Sequence, residues 1–460
     1  MNLVQALRII PAAPITVAAV GAGGKTSALF QLARDWLSTP QGPAAVILTA
    51  TSHLGEWQLP LADRHLVARS PADLDNLPAT GLTLVTGPLD GTRTRPLDPE
   101  PLARLRAECA ARGWPLLIEA DGSRGHPLKA PAEHEPPLPD FADLVLVVAG
   151  LTGLGHPLTD EFIHRPEFFS RLSGLPLGAA VTPEALTHVL THPQGGLKNL
   201  PASARKVVLL NQADTPELQA LGGKLANLLL PAFDSVIVGA LHSPTTFQTF
   251  EPIAGIVLAA GASTRYGQPK QLLDWRGTPF VRVVAQTALS AGLDPVLVVT
   301  GAYAEEVEAV LQGLPVQIVR NEAWGEGQAS SIRASINALP PSVPAGHLPH
   351  FQRKWGRTGG GLFLLADQPQ VTVPVLQALV ERHRLDLPPV LAPMVQDARA
   401  NPVLFDRVTF PDLLSLQGDV GGRGIFHKYP PAYLPWHDDR LLLDVDTPEQ
   451  YRRLVEDETP

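Results

Sequence analysis

The stretch from Ile256 to Lys270 constrains this chain more than any other. An apolar run of strand type ends at Ala260, and Gly261, Ala262 and Ser263 follow with little side-chain bulk, so a ligand can approach the backbone closely. Backbone amides left unpaired in such a turn attract anions. Arg265 and Lys270 add two donors just downstream, Gly267 tolerates positive φ and Pro269 stiffens the approach to Lys270. The pattern predicts a triphosphate cradle on a strand-to-turn junction, with Ala259, Ala260, Gly261 and Ser263 against the nucleotide and Arg265 and Lys270 as the acting cations.

Neither of the two commonest phosphate loops, G-x-x-x-x-G-K-[ST] and G-x-G-x-x-G, is present in this stretch. Leu-Ala-Ala-Gly-x-Ser-x-Arg-x-Gly-x-x-Lys instead closely resembles the opening signature of the nucleotidyltransferases that build molybdenum cofactors, within the sugar-phosphate nucleotidylyltransferase fold.

A second phosphate-type loop lies near the start of the chain. Ile15–Val20 reads as a strand, Gly21-Ala-Gly-Gly-Lys-Thr-Ser27 follows, and a helical pattern carries Leu29, Phe30, Leu32, Ala33 and Leu37. That order predicts an NTP site in which Gly21, Gly24 and Lys25 take phosphates and the Thr26 hydroxyl takes Mg²⁺. The residue five before Gly24 is Ala19, so only the shorter G-x-x-G-K-T spacing is met, which resembles the loop of Mur-type ATP-dependent ligases. A strand at Leu116 delivers Glu119 and Asp121 as candidate metal acids, with Asp121 preferred. Arg124, His126 and Lys129 follow as a cationic cluster suited to an anionic second substrate.

Glu119 to Pro131, Glu133 to Pro136 and His164-Arg-Pro-Glu167 resemble the YqeC-type putative selenium-dependent hydroxylase accessory family over about the first 240 residues. Asn211-Gln-Ala-Asp214 resembles the guanine-reading motif of GTPases, with Gln212 where Lys is usual, so ATP and GTP both stay open. Strands near 15, 44, 82, 116, 144, 207 and 235 make this half an α/β domain with a mainly parallel sheet.

The stretch 241–252 has no clear periodicity and reads as the boundary between a nucleotide-binding domain at 1–245 and a nucleotidyltransferase domain at 252–460, both Rossmann-like. In the second domain, Asn321 to Ser335 is a Gly-rich loop entering a helix. Gly327, Ser330 and Ser331 are placed beside the nucleotide by the resemblance, while either serine also suits an N-cap. The insertion 340–360, with Arg353, Lys354 and Arg357, reads as a mobile loop. Leu362 to Ala366 is a buried-type strand delivering Asp367, a catalytic metal carboxylate. Leu441 to Glu449 reads as a strand carrying Asp446, the second metal ligand, with Asp444 as fallback. Asn401 and Arg423 match the family pattern, and Arg423 suits a phosphate of the acceptor, with a structural Asp419–Arg423 pair as the alternative.

The resemblance implies transfer of CMP from CTP to molybdenum-molybdopterin, giving molybdopterin cytosine dinucleotide and diphosphate. Ala260 favours the cytidylyl over the guanylyl branch, whose members usually carry Gly there. A sugar or other small-molecule nucleotidyltransferase and a non-catalytic cofactor carrier are the alternatives. A molybdenum hydroxylase apoenzyme is the expected recipient. Net charge of −9 over 460 residues argues against a nucleic-acid or anionic-membrane surface. One cysteine, Cys109, excludes an intrachain disulfide framework, and no apolar run reaches the roughly 18 to 20 residues of a membrane span, so a cytoplasmic protein is expected.

Overall fold

The computed structural model describes residues 1–241, 247–263, 266–340 and 355–456. Arg265 and most of the 340–360 insertion, including Arg353 and Lys354, lie outside the described residues. The described chain divides into two compact units at Phe250 and Glu251.

The first unit is a sheet with strands β1 Thr16–Gly21, β2 Ala45–Ala50, β3 Arg64–Val67, β4 Gly81–Thr86, β5 Leu116–Glu119, β6 Leu144–Gly150, β7 Arg205–Asn211, β8 Ser235–Val238 and β9 Gln248–Phe250. Their order across the sheet is β9-β8-β7-β6-β1-β5-β2-β4-β3, and β9 alone pairs antiparallel. The strands read as continuous apolar runs because helices cover both faces. Ala18 and Val20 of β1 enter one core, Val17 and Ala19 the other, as a period of two requires. The helix Lys25–Ser38 follows β1 at once and buries Leu29, Leu32, Ala33 and Trp36 against the second core.

The second unit carries β10 Ile253–Ala259, β11 Val296–Thr300, β12 Gln317–Arg320, β13 Gly360–Leu365, β14 Val390–Val395, β15 Val403–Asp406 and β16 Ala432–Pro435. They run β12-β11-β10-β13-β15-β14, with β16 alongside β14. The chain winds one way from β10 through β11 to β12, then returns to the far side of β10 as β13. That reversal leaves a crevice at the carboxyl ends of β10 and β13, where open α/β sheets hold ligands. Leu258 stands level with Leu365, so the residues after each strand meet across the crevice.

The segment Leu441–Glu449 is not a strand. A 3₁₀ turn spans Asp439–Leu442 and irregular chain carries Asp444 and Asp446 into the helix Pro448–Glu456. The Asp438 side chain accepts from the Arg440 amide and caps the turn, a local bond that competes with strand pairing.

Two candidate phosphate sites

In the second unit the 259–263 loop lies at the switch point. Ala259 and Ala260 are buried and Gly261 is exposed. Gln271, itself buried, donates through Nε2 to the Gly261 carbonyl at 3.2 Å, and the Ser263 hydroxyl accepts from the Lys270 amide at 3.1 Å. The loop is thus held from below, and its upper side borders a cavity of about 530 Å³. Lys270, Asp367, Gly327, Gln328, Ser331 and Trp324 also line that cavity.

Lys270 Nζ lies 2.5 Å from Asp446 Oδ1 and 4.0 Å from Asp367 Oδ2. Burial and then the neighbouring charge of Asp444 push the Asp367 carboxyl above the usual carboxylate range; Lys270 opposes the shift and Asp446 adds to it. Asp444 thus bears on Asp367 as well, so both acids of the segment stand near it. Among the described residues no group of three or more His, Cys, Asp or Glu side chains converges into a metal cluster.

Ser330 and Ser331 are not helix caps. The helix Gln328–Ala338 has Gly327 as N-cap without a side-chain bond, and Asn321 Nδ2 donates to both serine hydroxyls, at 2.8 and 3.0 Å. Gly327 has φ 99, and a Cβ there would stand 2.6 Å from the Asp419 backbone, so glycine is required by both conformation and space. Asn401 and Arg423 line a second cavity of about 260 Å³, together with Arg399. Leu258, Gln328 and Leu365 border both cavities. Asp419 accepts from the Gln328 amide at 3.3 Å. Among the described residues no Asp419–Arg423 bond forms.

In the first unit Gly21, Gly23 and Gly24 have φ of 95, 82 and 120, and a Cβ on Gly21 would meet the Val148 carbonyl at 2.2 Å. The loop is therefore pressed against the end of β6. Asn211 fixes it from the other side: its Nδ2 donates to the Gly23 carbonyl at 2.7 Å and its Oδ1 accepts from the Leu241 amide at 3.1 Å. Thr26 pairs with Glu119 rather than Asp121, donating to Oε2 at 2.6 Å, while Gln58 Nε2 donates to the same hydroxyl at 2.9 Å. Burial raises the Glu119 carboxyl, an effect that Lys25 and the Thr26 hydroxyl oppose.

Asp121 anchors a chain of charges. Its Oδ2 accepts from the Gly21 amide at 3.1 Å and from Lys129 Nζ at 2.8 Å, and its Oδ1 lies 3.3 Å from Lys25 Nζ. Lys129 also donates to Glu135 at 2.9 Å, and Arg165 grips Glu135 with two nitrogens at 2.5 and 2.9 Å. Burial pushes the Glu135 carboxyl up, but Arg165 and Lys129 outweigh it and hold it at about 2. Lys129 is buried and engaged in that chain, so it does not join Arg124 and His126 at an open cluster. A cleft of about 1280 Å³ runs from Lys25 and Thr26 past Arg124 and His126 to His164 and Arg165.

Residues 255–432 match the family described as MobA-like NTP transferase domain, and residues 17–167 match the family described as YqeC protein. The chain is 36% identical over 208 residues to the uncharacterized protein YqeC of Escherichia coli, covering 43% of this chain and 76% of that one. It is 33% identical over 220 residues to a protein of Paenarthrobacter nicotinovorans named nicotine blue oxidoreductase, covering 44% and 96%. With purine catabolism protein PucB of Bacillus subtilis the identity is 32% over 221 residues, covering 43% and 94%. Among solved structures, Rv0371c of Mycobacterium tuberculosis shares 30% identity over 46% of this chain and all of that one, with a TM-score of 0.38. The chain therefore belongs to both families, a YqeC domain and a MobA-like nucleotidyltransferase domain joined in one polypeptide.

Proposed function

We propose that the second unit moves CMP from CTP to molybdenum-molybdopterin, and that the first unit binds an NTP in maturing a molybdenum hydroxylase, the recipient of the product. The single observation that carries the transferase reading is Lys270, an ammonium held between Asp367 and Asp446 at the rim of the 259–263 loop. A relative 26% identical over 130 residues is named probable molybdenum cofactor guanylyltransferase, which supports a cofactor as acceptor. Ala260 supports cytidylyl over guanylyl transfer.

An oxygen of the acceptor phosphate attacks the α-phosphorus of CTP, the bond to the bridging oxygen breaks, and diphosphate leaves with that electron pair. The loop amides and Lys270 hold the triphosphate, and Arg265 is assigned the same work. Gly327 and the Asn321-anchored Ser331 line the same cavity as the loop and are assigned to the nucleotide, with Ser330 assigned beside them. Asn401 and Arg423 take the acceptor in the adjoining cavity, on the far side of Leu258. Asp367 and Asp446 are the residues that would hold Mg²⁺: a half-buried carboxyl crowded by like charge gains from a cation, and Mg²⁺ ordinarily uses one or two carboxylates plus substrate phosphates. The ion would offset negative charge at the α-phosphate during attack. In the first unit Thr26 and Glu119, which line the cleft together, are the residues that would hold Mg²⁺, since Asp121 is taken by Lys129 and the Gly21 amide, and Gly21, Gly24 and Lys25 are assigned to the phosphates of ATP or GTP.

The test is diphosphate release on mixing the protein with Mg²⁺, molybdenum-molybdopterin and each of the four nucleoside triphosphates. Release with CTP, abolished in Asp367→Asn while the fold is retained, is expected. Release only with a sugar phosphate in place of the cofactor, or wild-type turnover in Asp367→Asn, overturns the reading.

A further inference from the structure

The cleft of the first unit is larger than one triphosphate loop needs. At about 1280 Å³ it exceeds the roughly 300 to 1,000 Å³ of an ordinary small-molecule pocket. Its lining carries Lys25, Thr26 and Glu119 together with Arg124, His126, His164 and Arg165, and the Gly23 amide of the loop donates to the His126 carbonyl at 3.0 Å. Among the described residues, the side chains of Arg124 and His164 make no hydrogen bond or ion pair, although both residues line the cleft.

The surroundings hold those two groups in place. Arg124 has φ 52 and stands in the turn between Gly122 and Gly125, which the His126 ring ties down through contacts with the Ser123 carbonyl at 3.0 Å and the Asp160 carbonyl at 2.6 Å. His164 ends a short strand paired with Leu128–Lys129 and lies against the His126 ring with centroids 5.8 Å apart. Burial, followed by the charges of Arg165 and Lys129, lowers the His164 imidazole to about 4, so near neutrality it has one N–H to donate and one lone pair to accept with. Around this end of the cleft, Asp121 and Glu135 are each matched by cations: Lys25 and Lys129 on the first, Lys129 and Arg165 on the second. Arg124 is then a surplus positive charge beside a neutral donor.

We propose that Arg124 and His164 form a subsite for a small oxyanion, a phosphate- or carboxylate-bearing ligand that binds at the same time as the nucleotide and separately from it. This rests on the reading of the Gly-rich loop as an NTP site. It makes the first unit a two-ligand domain rather than a simple nucleotide hydrolase. Arg124 supplies the charge and His164 Nδ1 or Nε2 a hydrogen bond, while Arg165, held by Glu135, lines the cleft with them.

The experiment uses the full chain. Binding of radiolabelled inorganic phosphate and of malonate is measured by equilibrium dialysis, with and without saturating AMP-PNP or GMP-PNP. Nucleotide affinity is measured in parallel. The expected result is that one of the two anions binds in the presence of nucleotide, and that Arg124→Gly, which tolerates the positive φ, weakens it about tenfold or more, the scale of a charge-assisted hydrogen bond, without altering nucleotide affinity. His164→Ala is expected to weaken the same anion, and Lys25→Ala to lose the nucleotide and keep the anion. Anion binding that saturating nucleotide abolishes, or that both Arg124→Gly and His164→Ala leave unchanged, overturns the subsite. If neither nucleotide analogue binds the wild-type first unit while the anion still depends on Arg124, the NTP reading fails and the anion site stands.

Discussion

Replacing Lys270 with Met keeps the length of the side chain and removes its charge, and the two ligands of the site should respond in opposite directions. The ammonium stands 4.0 Å from Asp367 Oδ2, where two unit charges interact by about 4 kcal/mol at an effective dielectric constant near 20. Its contact with Asp446 is worth less, about 1 kcal/mol at most, because the Asp446 side chain is 47% exposed. Without Lys270 the Asp367 carboxyl keeps its burial and its like-charged neighbours and loses the opposing cation. A divalent ion would then meet a more negative site, while the triphosphate would lose a charge-assisted hydrogen bond worth about 1.5 to 3 kcal/mol, or about 10- to 150-fold in affinity. Free Mn²⁺ followed by electron paramagnetic resonance should show metal binding equal or tighter in Lys270→Met, and calorimetry should show CTP binding weaker by that factor. Unchanged CTP affinity, or metal and CTP weakening in step, refutes the assignment of Lys270 as a phosphate cation set between metal carboxylates.

Three further outcomes are expected. Asn211→Ala strips the Gly23 carbonyl and the Leu241 amide of buried partners and should destabilise the first unit by about 1 to 3 kcal/mol in urea titration; an unaltered midpoint would show that the loop does not depend on this anchor. Gly23→Ala places a methyl 2.4 Å from the Gly150 amide nitrogen at φ 82, so nucleotide binding to the first unit should be lost with CTP transfer intact, and a parallel loss of transfer would make the two activities interdependent. His164 titrates near 4 when folded against 6.5 when unfolded, so below pH 6.5 the unfolded chain takes up the extra proton and stability falls as pH drops from about 6.5 to about 4. His164→Ala should flatten that slope in denaturant titrations at pH 7 and pH 5, though not abolish it, because burial lowers His65 in the same direction. An equal slope in the variant would assign the pH dependence elsewhere.

The strands and both phosphate-type loops were legible because apolar runs closed by Gly-rich turns leave few alternatives for a chain that winds β-α-β. The position of Asp367 just past a strand was legible for the same reason, since the residues that follow parallel strands of an open α/β sheet face its crevice. What stayed hidden depends on side chains that meet from distant segments. Gln271 and Asn321 carry no motif, yet each is buried and braces a loop of the second unit. Lys129 looked like an open cation because it sits two residues from Pro127 in a polar run, whereas its ammonium is taken by Asp121 from eight residues back and by Glu135 from six ahead. The 441–449 stretch looked like a strand from its leucines, but the Asp438 cap turns it before pairing begins.

Both units engage their phosphate-type lysine with acids. Lys25 donates to the Gly21 carbonyl at 2.7 Å and faces Asp121, and Lys270 lies between Asp446 and Asp367. An unpaired ammonium at such depth would be costly, most of all for the buried Lys25, and on the proposed reading each carboxylate holds the place that a phosphate would take. The two arrangements differ in what the exchange releases. If Lys270 turns to a triphosphate, it frees Asp367, which lines the cavity and would be available to a cation. When Lys25 does so, Asp121 remains gripped by Lys129 and the Gly21 amide, so the displaced charge is absorbed within the chain that runs on to Glu135 and Arg165. On the proposed reading, nucleotide binding in the first unit therefore leaves the Arg124 and His164 end of the cleft electrostatically unchanged, as an anion bound alongside the nucleotide requires, whereas in the second unit it would raise metal affinity at the reacting phosphate.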